Sequence, residues 1–132
     1  MPDAELAARI RTEITRHPRH HDQHAWLAGT RLLRPDQAPD CGTTLCVAGW
    51  TAHLTGYTLE RDSGIVRAFR PGIPRGYVDD VARVELGLTE DDARTLFATR
   101  RTRAEVLAAL GQLADGAAAI DWPTIWATQP PE

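Results

Sequence analysis

A chain of 132 residues, 42% hydrophobic and with a formal net charge of −3, is long enough for one domain with its own core and too acidic for a broad nucleic-acid surface. No apolar run approaches the ~20 residues that span a bilayer. The acidic start Met-Pro-Asp-Ala-Glu lacks the basic and apolar regions of a signal peptide, so a cytoplasmic protein without membrane partners is expected.

Residues 3–16 read as a helix, because Leu6, Ile10 and Ile14 recur every four residues and Ala7 widens the stripe. Pro18 ends it. The polar stretch 17–42 suggests a short helix around 19–27, then a flexible loop over 27–40. Thr43 or Thr44 is placed to cap a helix running to about Thr55, with Gly56 as its stop. Apolar or small residues on nearly every side make this the central, buried helix. Tyr57-Thr58-Leu59 and Ile65-Val66-Arg67-Ala68-Phe69 flank the turn sequence Asp62-Ser63-Gly64, which predicts a small β-hairpin. Pro71, Gly72, Pro74 and Gly76 read as a loop. Helices follow at about 77–86, 90–98 and 103–114; Thr89 caps the second, and Thr102-Arg103-Ala104-Glu105 is a capping box for the third. Trp122, Ile125 and Trp126 dock as a last turn before a flexible 127–132 tail. The expected fold is therefore mainly α: one compact domain, 1–132, around a buried central helix with one small β-hairpin.

Missing residue types exclude whole chemistries. All fifteen basic residues are arginine, which removes Schiff-base, pyridoxal-phosphate and P-loop lysines. Asparagine is absent, so no Cys-His-Asn triad exists, and the one serine, Ser63, lies in a turn.

The segment Cys41-Gly42-Thr43-Thr44-Leu45-Cys46-Val47-Ala48-Gly49-Trp50 holds both cysteines, too few for a disulfide framework. If Thr43 caps the helix, Cys41 and Cys46 lie at its positive end, where a thiolate is favoured. Cys41 or Cys46 is then a candidate nucleophile, with His24, His21 or His53 as base, Asp22 or Asp62 as orienter for Cys41 and Gln23 as oxyanion donor. His53 suits Cys46 poorly, since seven helical residues span about 10.5 Å. The competing reading is packing: buried cysteine behaves as a small hydrophobe, and Gly42, Gly49, Ala48 and Ala52 allow close approach. Metal is a third reading, because His20 and His24 with Cys41 and Cys46 would make a zinc set, although the two cysteines are loosely spaced for it.

Arg94, Arg100, Arg101 and Arg103 surround a helix–helix turn, yet Glu90, Asp91 and Asp92 start the first helix. A solvated loop, or contact with an acidic protein, is expected rather than a DNA groove. Trp50 and Trp26 are expected over the central helix, and Trp122 and Trp126 over a groove that a partner would cover.

The series His17-Pro18, Asp22-Gln23, Trp26, Cys41-Gly42-Thr43, Cys46 and Ala48-Gly49-Trp50, with Leu86-Gly87-Leu88-Thr89, Ala93 and Leu96-Phe97 later, resembles a group of small uncharacterised proteins of actinobacteria, their phages and some cyanobacteria. The likeness runs from about residue 10 to 113, with residues 27–40 as a long insert, and it implies no reaction. Two functions are expected from the whole. The first is a non-catalytic binding module for a protein or small molecule, phage-linked or regulatory, using Asp22, Gln23, Trp26, Gly42, Thr43, Cys46 and Trp50. The alternative is a small enzyme with Cys41 attacking an amide, peptide or thioester-like carbonyl. No cofactor is required by either, and zinc would serve as a structural variant.

Overall fold

Asp3 Oδ1 accepts from the Leu6 amide at 3.0 Å and caps helix α1 (Ala4–Arg16). The structure, a computed structural model, describes residues 1–40 and 42–128. The α1 stripe Leu6, Ala7, Ile10 and Ile14 is buried along helix α5 (Arg103–Ala114), whose Val106, Ala109, Leu110 and Leu113 form the opposing stripe. The Thr102–Glu105 capping box forms at the start of α5, and Thr89 Oγ1 accepts from Asp92 N at the start of α4 (Glu90–Leu96).

Helix α2 (Val47–Leu54) is the centre of the molecule, buried at every residue from Val47 to His53. Helix α3 (Val78–Leu86) packs against it. Beside this pair lies an antiparallel sheet of four strands in the order β1 (Leu32–Leu33), β2 (Thr58–Asp62), β3 (Ile65–Arg70), β4 (Ile73–Tyr77). Period-2 alternation sends Leu59, Val66 and Ala68 into the core and leaves Glu60, Ile65 and Arg67 on the outer face. Ser63 and Gly64 both take positive φ, as a two-residue hairpin turn requires. Arg70 ties sheet to helices: it donates to Thr55 O at 2.7 Å, pairs with Glu85 at 3.3 Å and lies over the Tyr57 ring, whose hydroxyl donates to Glu85.

The fold is α+β, which corrects the expectation of a mainly α fold with a single hairpin. Strand β4 hides in the Pro- and Gly-rich run 71–76. Proline is tolerated there because β4 is the sheet edge, where a missing N–H breaks no ladder. Strand β1, two residues long, lies inside the 27–40 segment expected as a loop, and its Leu33 is buried. Two helix boundaries also change. The expected 19–27 helix is a single 3-10 turn, Pro18–His20, and α2 begins after Cys46 rather than at Thr43 or Thr44. Thr44 and Leu45 instead bridge to Ala28 and His21. The C-terminal helix α6 (Trp122–Thr128) covers the first part of the expected tail, and residues 129–132 lie outside the described residues. Among the described residues, no helix is long and apolar enough to cross a membrane.

Candidate functional site

The two halves of the cysteine-containing motif are zipped together by backbone. Leu45 N donates to His20 O at 2.9 Å, Asp22 N to Leu45 O at 3.0 Å, and Cys46 N to Ala25 O at 3.0 Å; Ala28 and Thr44 exchange a reciprocal pair. This close approach dictates the glycines. A Cβ at Gly49 would sit 2.3 Å from the Trp26 carbonyl oxygen, and one at Gly29 (φ +86°) 2.0 Å from that of Gly42. Gly42 itself needs its left-handed φ of +93°, in a turn where Thr43 N donates to Asp40 O and Thr43 Oγ1 to Asp40 Oδ1.

Gln23 is the staple of this interior. Its amide nitrogen donates to Leu96 O at 2.8 Å and Ala98 O at 3.3 Å, closing the end of α4. Its oxygen accepts from Val47 N at 3.2 Å, at the start of α2, and from the His21 ring, also at 3.2 Å. All four capacities are filled, so no donor is left for an oxyanion. Because that oxygen only accepts, His21 Nε2 carries the proton and Nδ1 accepts from Arg103 Nε at 3.2 Å. Burial holds the His21 pKa below the ordinary imidazole value, with the Arg103 charge adding to the effect against the Gln23 bond.

Cys46 is the α2 cap, its sulfur accepting from Gly49 N at 3.4 Å. Burial pushes its thiol up to about 12, so the expected thiolate at the helix start does not form at Cys46. His53 is buried edge-on to Trp50, with its pKa lowered chiefly by desolvation, and its Nδ1 has no hydrogen-bond partner among the described residues. His20 Nδ1 donates to Thr43 O at 2.8 Å, while the carbonyl of His20 accepts from Trp50 Nε1. His24 points the other way, exposed, with its ring 3.1 Å from Asp22 Oδ1. Asp22 is held below the usual carboxylate range, first by the His24 backbone N–H. His20, His24 and Cys46 are thus engaged separately. Among the described residues no group of three or more His, Cys, Asp or Glu side chains is placed to hold a metal ion. Cys41, the expected nucleophile and fourth zinc ligand, lies outside the described residues.

Two open clefts flank this closed interior. One, about 370 Å³, brings His21, Asp22, Gln23 and His24 to the run Thr99–Arg103. The other is a groove of two adjoining cavities, about 350 and 290 Å³, that share Trp26, Asp79 and Asp80. Arg83, Glu90, Arg94 and Phe97 line one end, and Ile65 and Tyr77 the other. Of these, only Trp26 and Arg94 stand out in the sequence. Asp79 and Asp80 fit the ordinary preference for carboxylates in a helix's first turn, and the period-2 pattern that exposes Tyr77 is masked by the neighbouring prolines and glycines. No protein-family model, curated protein or solved structure matches the chain.

Proposed function

We propose that the chain is a small non-catalytic binding module whose Trp26 groove accepts a peptide segment carrying a basic side chain. One observation carries this reading. Trp26, half-buried, lines both cavities, and the Asp79 and Asp80 carboxylates that line them with it have no ion-pair partner among the described residues. An aromatic face beside open carboxylates suits a guanidinium or ammonium group, at about 0.5–2 kcal/mol for the cation–π contact. Arg83 and Arg94 line the same groove against Asp79, Asp80 and Glu90, so its carboxylates outnumber its guanidinium groups three to two.

The enzyme alternative, with Cys41 as nucleophile, loses two expected partners, since Gln23 has no free donor and His53 is buried, although the expected base His24 and orienter Asp22 lie 3.1 Å apart. The binding reading is tested by titrating acetyl-Gly-Arg-Gly-Arg-Gly-amide, and its glutamate counterpart, into the labelled protein while following the Trp26 indole N–H and the backbone amides of residues 78–83 by NMR. Saturable shifts with the arginine peptide alone, abolished in Trp26→Ala, are expected. Equal shifts with both peptides, or none up to millimolar concentration, would overturn the groove as the binding site.

A further inference from the structure

We propose that the second cleft, between residues 21–24 and the start of α5, is a binding site for a phosphoryl group. The charge arrangement carries the inference. Arg103 is oriented by three acceptors, His21 Nδ1 at 3.2 Å, Pro18 O at 3.1 Å and His21 O at 3.3 Å, and all three are neutral. Its positive charge is therefore held in place without a carboxylate to offset it. Arg100, exposed on the same cleft, has no ion pair among the described residues.

Arg101 also lines the cleft but is already engaged: its guanidinium pairs with Glu105 at 3.1 Å and packs 5.4 and 6.0 Å from the Trp126 and Trp122 ring centroids, so it adds background positive charge rather than a donor. Asp22 is the one carboxylate among the lining residues, and it already accepts from the His24 backbone N–H and faces the His24 ring. In a protein of net charge −3, this is a local excess of positive charge with fixed geometry.

Arg100 keeps its whole guanidinium fork and Arg103 keeps Nη1, since its Nε and Nη2 are taken up by His21 and Pro18; donors from two arginines match the several oxygens of a dianionic tetrahedral group better than the two of a single carboxylate. A phosphoryl group also fits the space of about 370 Å³ with room for a small attached moiety.

The test is an NMR titration of the full chain with inorganic phosphate and with phenyl phosphate, against acetate at matched ionic strength. Saturable amide shifts confined to 22–24 and 99–103 are expected with both phosphates. Arg100→Gln, a change at an exposed residue, should weaken both by about tenfold, roughly 1.4 kcal/mol. Thr99→Ala serves as a second variant, with a smaller loss expected. Tighter binding of phenyl phosphate points to an esterified ligand, and equal binding to the free anion; either supports the site. Trp26→Ala should leave these shifts unchanged, which separates this inference from the peptide groove. Equal shifts with acetate, affinity indifferent to Arg100→Gln, or preference for a carboxylate-rich peptide over phosphate would overturn it.

Discussion

Residues 21–26 belong to two regions at once, and the contrast between them is instructive. His21 and Gln23 face inward, and each of their own side-chain polar atoms meets a partner. Asp22 and His24 face outward, and Trp26 reaches the rim of a groove. A turn at Gln23 and His24, closed by Ala25 N donating to Asp22 O at 3.4 Å, makes this division by turning the chain between the two sides. The inward residues are saturated and serve packing. The outward ones leave charge and aromatic surface uncommitted, and any recognition has to act there.

The sharpest way to break this contrast is to enlarge the interior. Gly49→Ala forces a methyl group into a backbone carbonyl that cannot swing aside, and a loss of more than about 3 kcal/mol in urea unfolding is expected. A near-neutral result would show that the 25–28 segment does not hold its place against α2. Gln23→Leu comes next. It strands the Val47 amide and the His21 N–H, and should cost about 2–4 kcal/mol. Unfolding at several denaturant concentrations would measure it.

Acid sharpens the comparison from another side. His21 and His53 have folded pKa values below the ordinary 6.5, mainly through burial. Both are neutral inside and must gain a proton on unfolding in acid. Their contribution to stability is therefore complete above about pH 6.5 and declines as pH falls below it towards the folded values. The urea midpoint should hold steady from pH 8 to 7 and fall between pH 6.5 and 5, with a shallower fall in His53→Gln. The smallest stability effect is expected at the groove. Asp79→Asn and Asp80→Asn should change stability by no more than about 1 kcal/mol, the helix-dipole contribution, while weakening the arginine peptide several-fold in the NMR titration.

Much of the helical framework is legible in the sequence because its signals are local. The α1 stripe, the Thr89 cap and the Thr102–Glu105 box depend on residues within a turn or two of one another. The sheet is less legible. Strand β4 depends on a partner for its hydrogen bonds, and its Pro74 and Gly76 argue locally for a loop; only its edge position makes them acceptable. The start of α2 shows the same limit. Thr43 and Thr44 are better caps by propensity than Cys46, yet the backbone pairing of Thr44 with Ala28 keeps that stretch extended and passes the cap to a thiol.

The candidate site divides along the same line. The packing reading of Gly42, Cys46 and Gly49 follows from residue size and is visible early. The roles of Gln23 and His21 depend on carbonyls and an arginine more than seventy residues away, which no local pattern reveals. The groove residues Asp79, Asp80 and Phe97 come together with Trp26 only through the packing of α3 and α4.

The central claim is that the Cys46 region is a closed interior and that recognition lies on the surfaces around it. Site-resolved alkylation followed by mass spectrometry, on the native protein from pH 5 to 9, tests this most directly. Cys46 should stay unmodified throughout and react only when denaturant is added, in keeping with a buried thiol pushed up to about 12. Rapid native modification of Cys46 below pH 7 would show a stabilised, accessible thiolate and contradict the account.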